Sequence, residues 1–391
     1  MPMPPLKRRT AVFLACIAAL CCGGGETVAQ SRETAAEPVA LSFVFFGCNR
    51  LDKDGAEATD SKSTANVAQL LQSFQDIARL PRLPQYVFLA GDIVKAKKPG
   101  TDALAKQLSA WVKLATNPKK NPLIGKGVPL VAFTGNHELL VNQDDGDCKY
   151  AQCPNPPAYA YWPQFMESNP AHYDFIAGDN GPKQGGPDGL LGDESRLSYS
   201  LLSGDTLFVV LNTDSRIDRD TIGDVPLDWL KQQLQAAQRD SAVRHVFVMG
   251  HKPLQSSDKG GDPGDRTIRP DEAGAFYALL NDPAGDGSPS KVRAYLAAHA
   301  HEWSHTAELT VGGVSGKIPQ IVAGNGGSPP NSAWQGKDAY FGYTLVEIGG
   351  DGTITAKSYG RPIQAPYYQQ NTSPATLRAV YTLGTQAATA P

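Results

Sequence analysis

The chain has 391 residues, enough for one large domain or two to three of ordinary size, so a shortage of core is excluded. Apolar residues make up 41% and charged residues 19%, below the roughly 25% charged of an average soluble domain, which excludes a disordered chain. Lys and Arg number 36 against 39 Asp and Glu, a net charge of −3, so no positive field coats nucleic acid and no general nucleic-acid binding is expected.

Lys7, Arg8 and Arg9 precede an apolar run from Ala11 to Cys22, and the small-residue site Thr27-Val28-Ala29 follows. This predicts a signal peptide over residues 1–29, cleaved after Ala29, and a periplasmic or secreted product. The run has 12 residues where a bilayer needs about 20, so no transmembrane segment is expected. Lipoprotein anchoring at Cys16, Cys21 or Cys22 fits less well, because the residues before Cys21 and Cys22 are not small. Downstream only Cys48, Cys148 and Cys153 remain. An oxidising compartment favours a local disulfide between Cys148 and Cys153, which leaves Cys48 to be buried, coordinated or otherwise protected.

The first strand is Leu41–Phe46, followed by a helix over Thr64–Arg79 with Val67, Leu70, Leu71, Phe74, Ile77 and Ala78 on one stripe. Strands Tyr86–Ala90 and Pro129–Phe133 come next. Residues 139–197, rich in Pro, Gly, Asp and aromatics, form an insertion too long for an ordinary connection, either a substrate-side lid or a structural flap. Strand Leu207–Leu211, a helix over Asp224–Gln238 and strands Val246–Met249 and Val292–Ala297 continue the alternation. These strands are apolar enough to be buried on both faces. From Ala307 the pattern changes: Ala307–Val311, Ile318–Ala323, Phe341–Ile348 and Thr353–Ser358 are strands without helices between them, with a hairpin turn at 349–352. They predict a second, more antiparallel sheet. The expected architecture is an α/β fold, a four-layer α/β/β/α sandwich of two mixed sheets flanked by helices. One domain spans 30–366, and 367–391 is expected to be a loosely attached extension.

Five buried strands end alike, with a small residue and then polar groups: FFGCNR (Phe45–Arg50), LAGDIV (Leu89–Val94), FTGNHE (Phe133–Glu138), VMGHKP (Val248–Pro253) and LAAHAHEW (Leu296–Trp303). Carboxyl ends of strands in α/β sheets form the ligand crevice, and Gly lets the chain turn so that the next side chain enters it. All five are expected to converge. Asp92, Asn136, His137, His251, His299 and His301 lie at these endings. Mixed imidazole, carboxylate and amide donors suit a divalent transition metal, Mn, Fe or Zn, above the all-oxygen shells of Ca or Mg. A hydrolytic centre with one or two ions follows.

At this point the chain resembles the calcineurin-like metallophosphoesterase superfamily, which carries ordered blocks D-x-H, G-D, G-N-H-[DE], G-H and G-H-x-H on an α/β/β/α sandwich. The resemblance spans about residues 41–305, with Ala298 in place of the last block's glycine. It implies that Asp92 bridges two metals, that Asn136, His251 and His299 complete the second site, and that His301 serves the first. It implies further that His137 protonates the leaving oxygen or steadies phosphoryl charge, with Glu138 orienting its ring. The substrate would be a small phosphorylated molecule, a phosphomonoester or phosphodiester attacked by metal-activated water.

The first block departs from this pattern. Cys48-Asn49-Arg50 stands where the family has D-x-H, and Arg50 has no lone pair for a metal. The preferred expectation is that Arg50, with Asn49, binds substrate near the missing cation and leaves one metal at the second site. The rival is that Cys48 as thiolate completes a softer first site. Cys48 could equally be a small hydrophobe closing a buried strand, and Arg50 the partner of a rim carboxylate. Two other functions compete. A catalytically weakened phosphate or nucleotide binder would keep the scaffold without turnover. A zinc protease would use His301-Glu302-Trp303-Ser304-His305 if that segment were a helix. Tyr159, Tyr161 and Trp162 either stack on a substrate or pack a small core of the insertion, and Gly324–Gly327 is either a phosphate-facing turn or an ordinary loop.

Overall fold

The computed structural model describes residues 39–51, 67–145, 150–257, 264–336, 338–363 and 373–385. The expected signal peptide, the lipidation cysteines and Cys148 lie outside them. Cys153 is disulfide-bonded, and among the described residues Cys48 is the free thiol, fully buried.

Two six-stranded mixed sheets face each other. The first runs, edge to edge, Thr376–Thr385, Thr353–Pro362, Tyr340–Gly349, Val39–Phe46, Tyr86–Ala90 and Leu130–Phe133, with the last three parallel and the rest antiparallel. The second runs Trp303–Thr306, Gln320–Ala323, Val292–Ala297, His245–Gly250, Thr206–Leu211 and Tyr199–Ser203, parallel in its four central strands. Alternation along the strands decides what each face meets. Phe208 and Phe247 point inward to Phe43, each with ring centroids 5.0 Å away, and Phe88 also lies 5.0 Å from Phe208. Their neighbours Val209, Leu211, Val246 and Val248 point outward and pack with Leu230, Leu234, Phe276 and Tyr277 of helices Leu227–Arg239 and Pro270–Asn281. Over the other sheet, Leu70, Phe74 and Ile77 of helix Val67–Ile77 join the core. At roughly 1.5–3 kcal/mol per buried large apolar side chain, these layers supply the drive that closes the sandwich. The fold is the four-layer α/β/β/α sandwich.

The sheets are composed differently from the sequence reading. Tyr340–Gly349 and Thr353–Pro362 do not belong with the strands just before them; they return to pair antiparallel with Val39–Phe46. The stretch expected to be loosely attached supplies an edge strand, Thr376–Thr385. Its approach is fixed by Asp76, which takes the Ala375 N–H at 2.9 Å and pairs with buried Arg361 at 2.5 Å. The insertion is largely structural: Trp162, Met166 and Phe175 are buried in the main core, and Phe175 packs 5.1 Å from Trp111. Tyr159 is buried with its hydroxyl donating to Asp214 O at 2.6 Å. No described helix is long and apolar enough to cross a membrane.

Candidate metal centre

The polar residues that follow Phe46, Ala90, Phe133, Gly250 and Ala297 meet at one cleft. Its backbone is held in unusual conformations. Of the five non-glycine residues with positive φ among the described residues, four are here: Cys48 (60°), Asp92 (53°), Lys97 (49°) and His299 (58°). Such strain persists where surrounding contacts over-determine it, and it clusters at functional sites. Gly91 (φ 75°) precedes Asp92, and a Cβ there would stand 2.6 Å from His251 Nδ1 and 2.7 Å from Gly135 N. Only a glycine lets these loops approach so closely. Ala298, where the family pattern has glycine, packs against Gly47, which has no room for a Cβ of its own.

Asp92 stands at the middle. Its Oδ1 lies 3.2 Å from His251 Nε2 and accepts the His137 N–H at 3.1 Å. His251 Nδ1 lies 2.7 Å from Ala90 O, a contact that requires the proton on Nδ1 and leaves the Nε2 lone pair facing Asp92. His299 Nδ1 is 3.1 Å from that same Nε2. One terminal atom of the Asn136 amide completes the group, 3.1 Å from Asp92 Oδ1, 3.3 Å from His251 Nε2 and 3.2 Å from His299 Nδ1. Were it the nitrogen, its protons would satisfy these acceptors without an ion. Gln152 decides for the oxygen: its Nε2 donates to Asp265 Oδ1 at 2.6 Å, so its Oε1 accepts from the Asn136 nitrogen at 3.0 Å. Lys97 Nζ, 3.1 Å from that nitrogen, prefers the reverse, as do the three acceptors when no ion lies among them. Four lone-pair atoms aimed at one point repel each other unless a cation lies between them, and this N/O set fits a divalent transition metal.

A second set, Cys48, Asp92 and His301, also brings one donor atom each within 4.8 Å of the others. His301 Nδ1 lies 2.8 Å from Pro329 O, which leaves Nε2 as the available lone pair. Beside this set stands Arg50, whose Nη1 is 3.9 Å from Asp92 Oδ2 and 2.5 Å from His137 Nε2, while its Nε donates to Ser328 Oγ at 3.1 Å. Burial alone would raise the Asp92 carboxyl, but His251, His137 and Arg50 pull it well below the usual carboxylate range. Burial and the Asp92 charge push the Cys48 thiol up, against Arg50.

Two expected roles change. The His137 ring is oriented by the Lys95 carbonyl, 2.7 Å from Nδ1, and not by Glu138. Glu138 instead accepts the backbone N–H groups of Asp92 (3.0 Å), Val94 (3.0 Å) and Gly135 (2.7 Å), clamping the two loops that carry Asp92 and Asn136. Asn49, expected at the substrate, is 2% exposed and does not line the cleft. The sequence reading missed Lys97, Gln152, Asp265, Arg266 and Asn331, which line the cleft of about 220 Å³. All five lie away from the glycine-marked strand endings, so no short-range signal pointed to them.

The protease geometry is absent. Trp303–Thr306 is a strand, His305 stacks on Tyr381 at 4.0 Å, and Glu302 binds Ser257 and Asn331, so His301 and His305 do not share a helix face. The Gly324–Gly327 turn packs on the first block, with Gly326 N–H donating to Gly47 O at 3.0 Å.

A family model described as calcineurin-like phosphoesterase matches residues 60–303. Among solved structures, the chain is similar to GAP50, the anchor in the inner membrane complex of Plasmodium, at 16% identity over 89% of each chain with a TM-score of 0.50. It is also similar to PhoD, at 14% identity over 89% of this chain and 70% of that one with a TM-score of 0.51. At these identities the likeness is one of fold. No curated protein matches the chain.

Proposed function

This chain belongs to the calcineurin-like phosphoesterase family, and on that premise we propose that it is an exported, metal-dependent phosphoesterase hydrolysing a phosphomonoester or phosphodiester. The observation that carries this is the convergence of Asp92, His251 and His299 donor atoms within 4.8 Å of one another, with the Asn136 amide beside them. We assign these four as ligands of one Mn, Fe or Zn ion. When bound, the ion makes a water acidic enough to attack at neutral pH and takes up charge on phosphoryl oxygens.

Arg50 is assigned to the phosphoryl group. Its guanidinium already supplies positive charge at the outer oxygen of Asp92, 3.9 Å away, and opposes a second divalent cation between Cys48 and His301. His137 then acts through Arg50: with its Nδ1 proton on Lys95 O, its Nε2 accepts from Arg50 and fixes the guanidinium plane. Export is read from the signal-like segment at 1–29 and agrees with a disulfide at Cys153.

The test is release of p-nitrophenol from mono- and bis-p-nitrophenyl phosphate with Mn or Zn added. Activity is expected, falling at least about a thousandfold in Asp92→Asn and in His251→Ala, since each removes a ligand. A protein that binds one metal and phosphate but turns over neither ester with any divalent ion is a weakened binder, and the enzyme reading then falls.

A further inference from the structure

The cleft has an unusual lining. Among the described residues it is lined wholly by polar residues: beyond the metal-ligand set it presents Arg50, Lys97, His137, Gln152, Asp265, Arg266 and Asn331. None of the described Phe, Tyr, Trp, Leu, Ile, Val or Met residues lines it. Of the insertion's aromatic residues, Tyr159 and Trp162 are buried in packing. Broad Phe, Tyr or Trp faces and apolar walls are what most often hold bases and acyl chains, and the described lining offers neither, only imidazole rings and guanidinium planes.

Its charge is equally one-sided. Arg50, Lys97 and Arg266 face Asp92 and Asp265, an excess of one positive charge that a divalent ion raises to three. Lys97 is the best-placed of these cations for a second negative charge. Its Nζ is 3.1 Å from the Asn136 amide, whereas Arg50 approaches Asp92 Oδ2 at 3.9 Å. The chain spends conformational strain to put it there: Lys97 has φ 49°, its N–H is tied to His137 O at 3.3 Å, and the two preceding N–H groups are both held by Gln107 Oε1.

We propose that the cleft selects a phosphomonoester dianion on a compact hydrophilic alcohol, such as a glycerol or sugar phosphate, over phosphodiesters and nucleotides, and that Lys97 is the residue that reads the second negative charge. This rests on the phosphoesterase reading above. A diester presents one negative charge where a monoester presents two, and the extra charge interacts with a fixed cation in a site of restricted solvent.

The test uses the full metal-loaded protein and two matched pairs, so that leaving-group reactivity cancels within each. p-Nitrophenyl phosphate against its bis ester isolates charge; glycerol phosphate against AMP isolates the alcohol. In each pair kcat/KM is expected to favour the first member at least about tenfold. Lys97→Met should raise KM for p-nitrophenyl phosphate about tenfold with kcat little changed, and leave KM for the bis ester where it was. Equal or reversed preference in either pair overturns the proposal, as does a Lys97→Met variant that lowers kcat on both esters alike. If no ester is turned over, the phosphoesterase reading fails on its own terms, and calorimetric binding of glycerol phosphate against AMP then judges the selection: tighter binding of the former supports it, and equal affinities overturn it.

Discussion

Cys48 and Arg50 together decide how many ions the site holds. Asp92 offers two oxygens; Oδ1 lies 3.2 Å from His251, whereas Oδ2 has Arg50 at 3.9 Å. Replacing the pair by the residues of the family pattern, Cys48→Asp with Arg50→His, removes the guanidinium and adds a carboxylate and an imidazole beside Asp92 and His301. Asp tolerates the positive φ of position 48 better than most residues. The bound metal, counted by mass spectrometry on the purified protein, is therefore expected to rise from one per chain to two, and two ions in the unsubstituted protein would contradict the single-metal assignment. A different single residue sets part of the acid response. His245 is buried at the start of its strand, and its Nδ1 accepts from Arg293 Nε at 3.2 Å. Burial and then Arg293 pull its pKa down to about 4, against Asp205. Unfolded, it protonates near the ordinary value of about 6.5. Between those two values the unfolded chain binds the proton and the folded one does not, so stability present above pH 6.5 is lost as pH falls towards 4. The melting temperature of His245→Asn should therefore vary less over that window than the wild-type value does; identical slopes would remove His245 from the account.

Elements that short-range patterning describes well are the ones the sequence made legible: Tyr86–Ala90 and Val292–Ala297 match their expected limits residue for residue. Sheet membership was not legible. The hairpin at 349–352 identifies Tyr340–Gly349 and Thr353–Pro362 as partners of each other, but the same alternation would have served in either sheet. Their place beside Val39–Phe46 depends on long-range packing that no local pattern encodes. Part of that packing is polar. Buried Arg361 pairs with Asp76 at 2.5 Å, and donates to Gln69 Oε1 at 2.8 Å and from Nε to Ser373 O at 3.1 Å, joining helix Val67–Ile77 to the sheet and to the approach of the edge strand. Read alone, an Arg in a strand and an Asp in a helix look like surface residues. Arg361→Met leaves the Asp76 carboxylate buried without its cation and is expected to cost about 3–5 kcal/mol in chemical denaturation. Adding Asp76→Leu should recover most of that loss, because the uncompensated charge is then gone. A double variant as unstable as the single one would mean that the contacts to Gln69 and Ser373, and not the charge, hold the strand.

At the scale of the whole molecule, the candidate ligands divide between the two sheets. Asp92 and Asn136 follow Tyr86–Ala90 and Leu130–Phe133 of the first; His251 and His299 follow His245–Gly250 and Val292–Ala297 of the second. This division explains why five separate strand endings could be read as one site before any contact was known: strands of both sheets point their carboxyl ends to the same edge of the sandwich. It also explains why Lys97, Gln152 and Asn331 could not be read, since Lys97 and Asn331 reach that edge from loops and Gln152 from the short strand Gln152–Pro154, all placed by the packed core. An ion gripping all four ligands ties the sheets together across their interface, and the unfolded chain cannot assemble such a set. Binding is thus linked to folding, and at a free concentration a hundredfold above Kd one ion adds about 2.7 kcal/mol. Chelation should lower the melting temperature, and stepwise return of Mn or Zn should raise it with the logarithm of concentration. Amide exchange should slow on loading at the ends of strands in both sheets. Asp92→Asn is expected to abolish the metal-dependent shift while keeping the fold of the chelated protein. Protection confined to one sheet would show that the ion is held by half of the set, and the four-ligand centre would have to be given up.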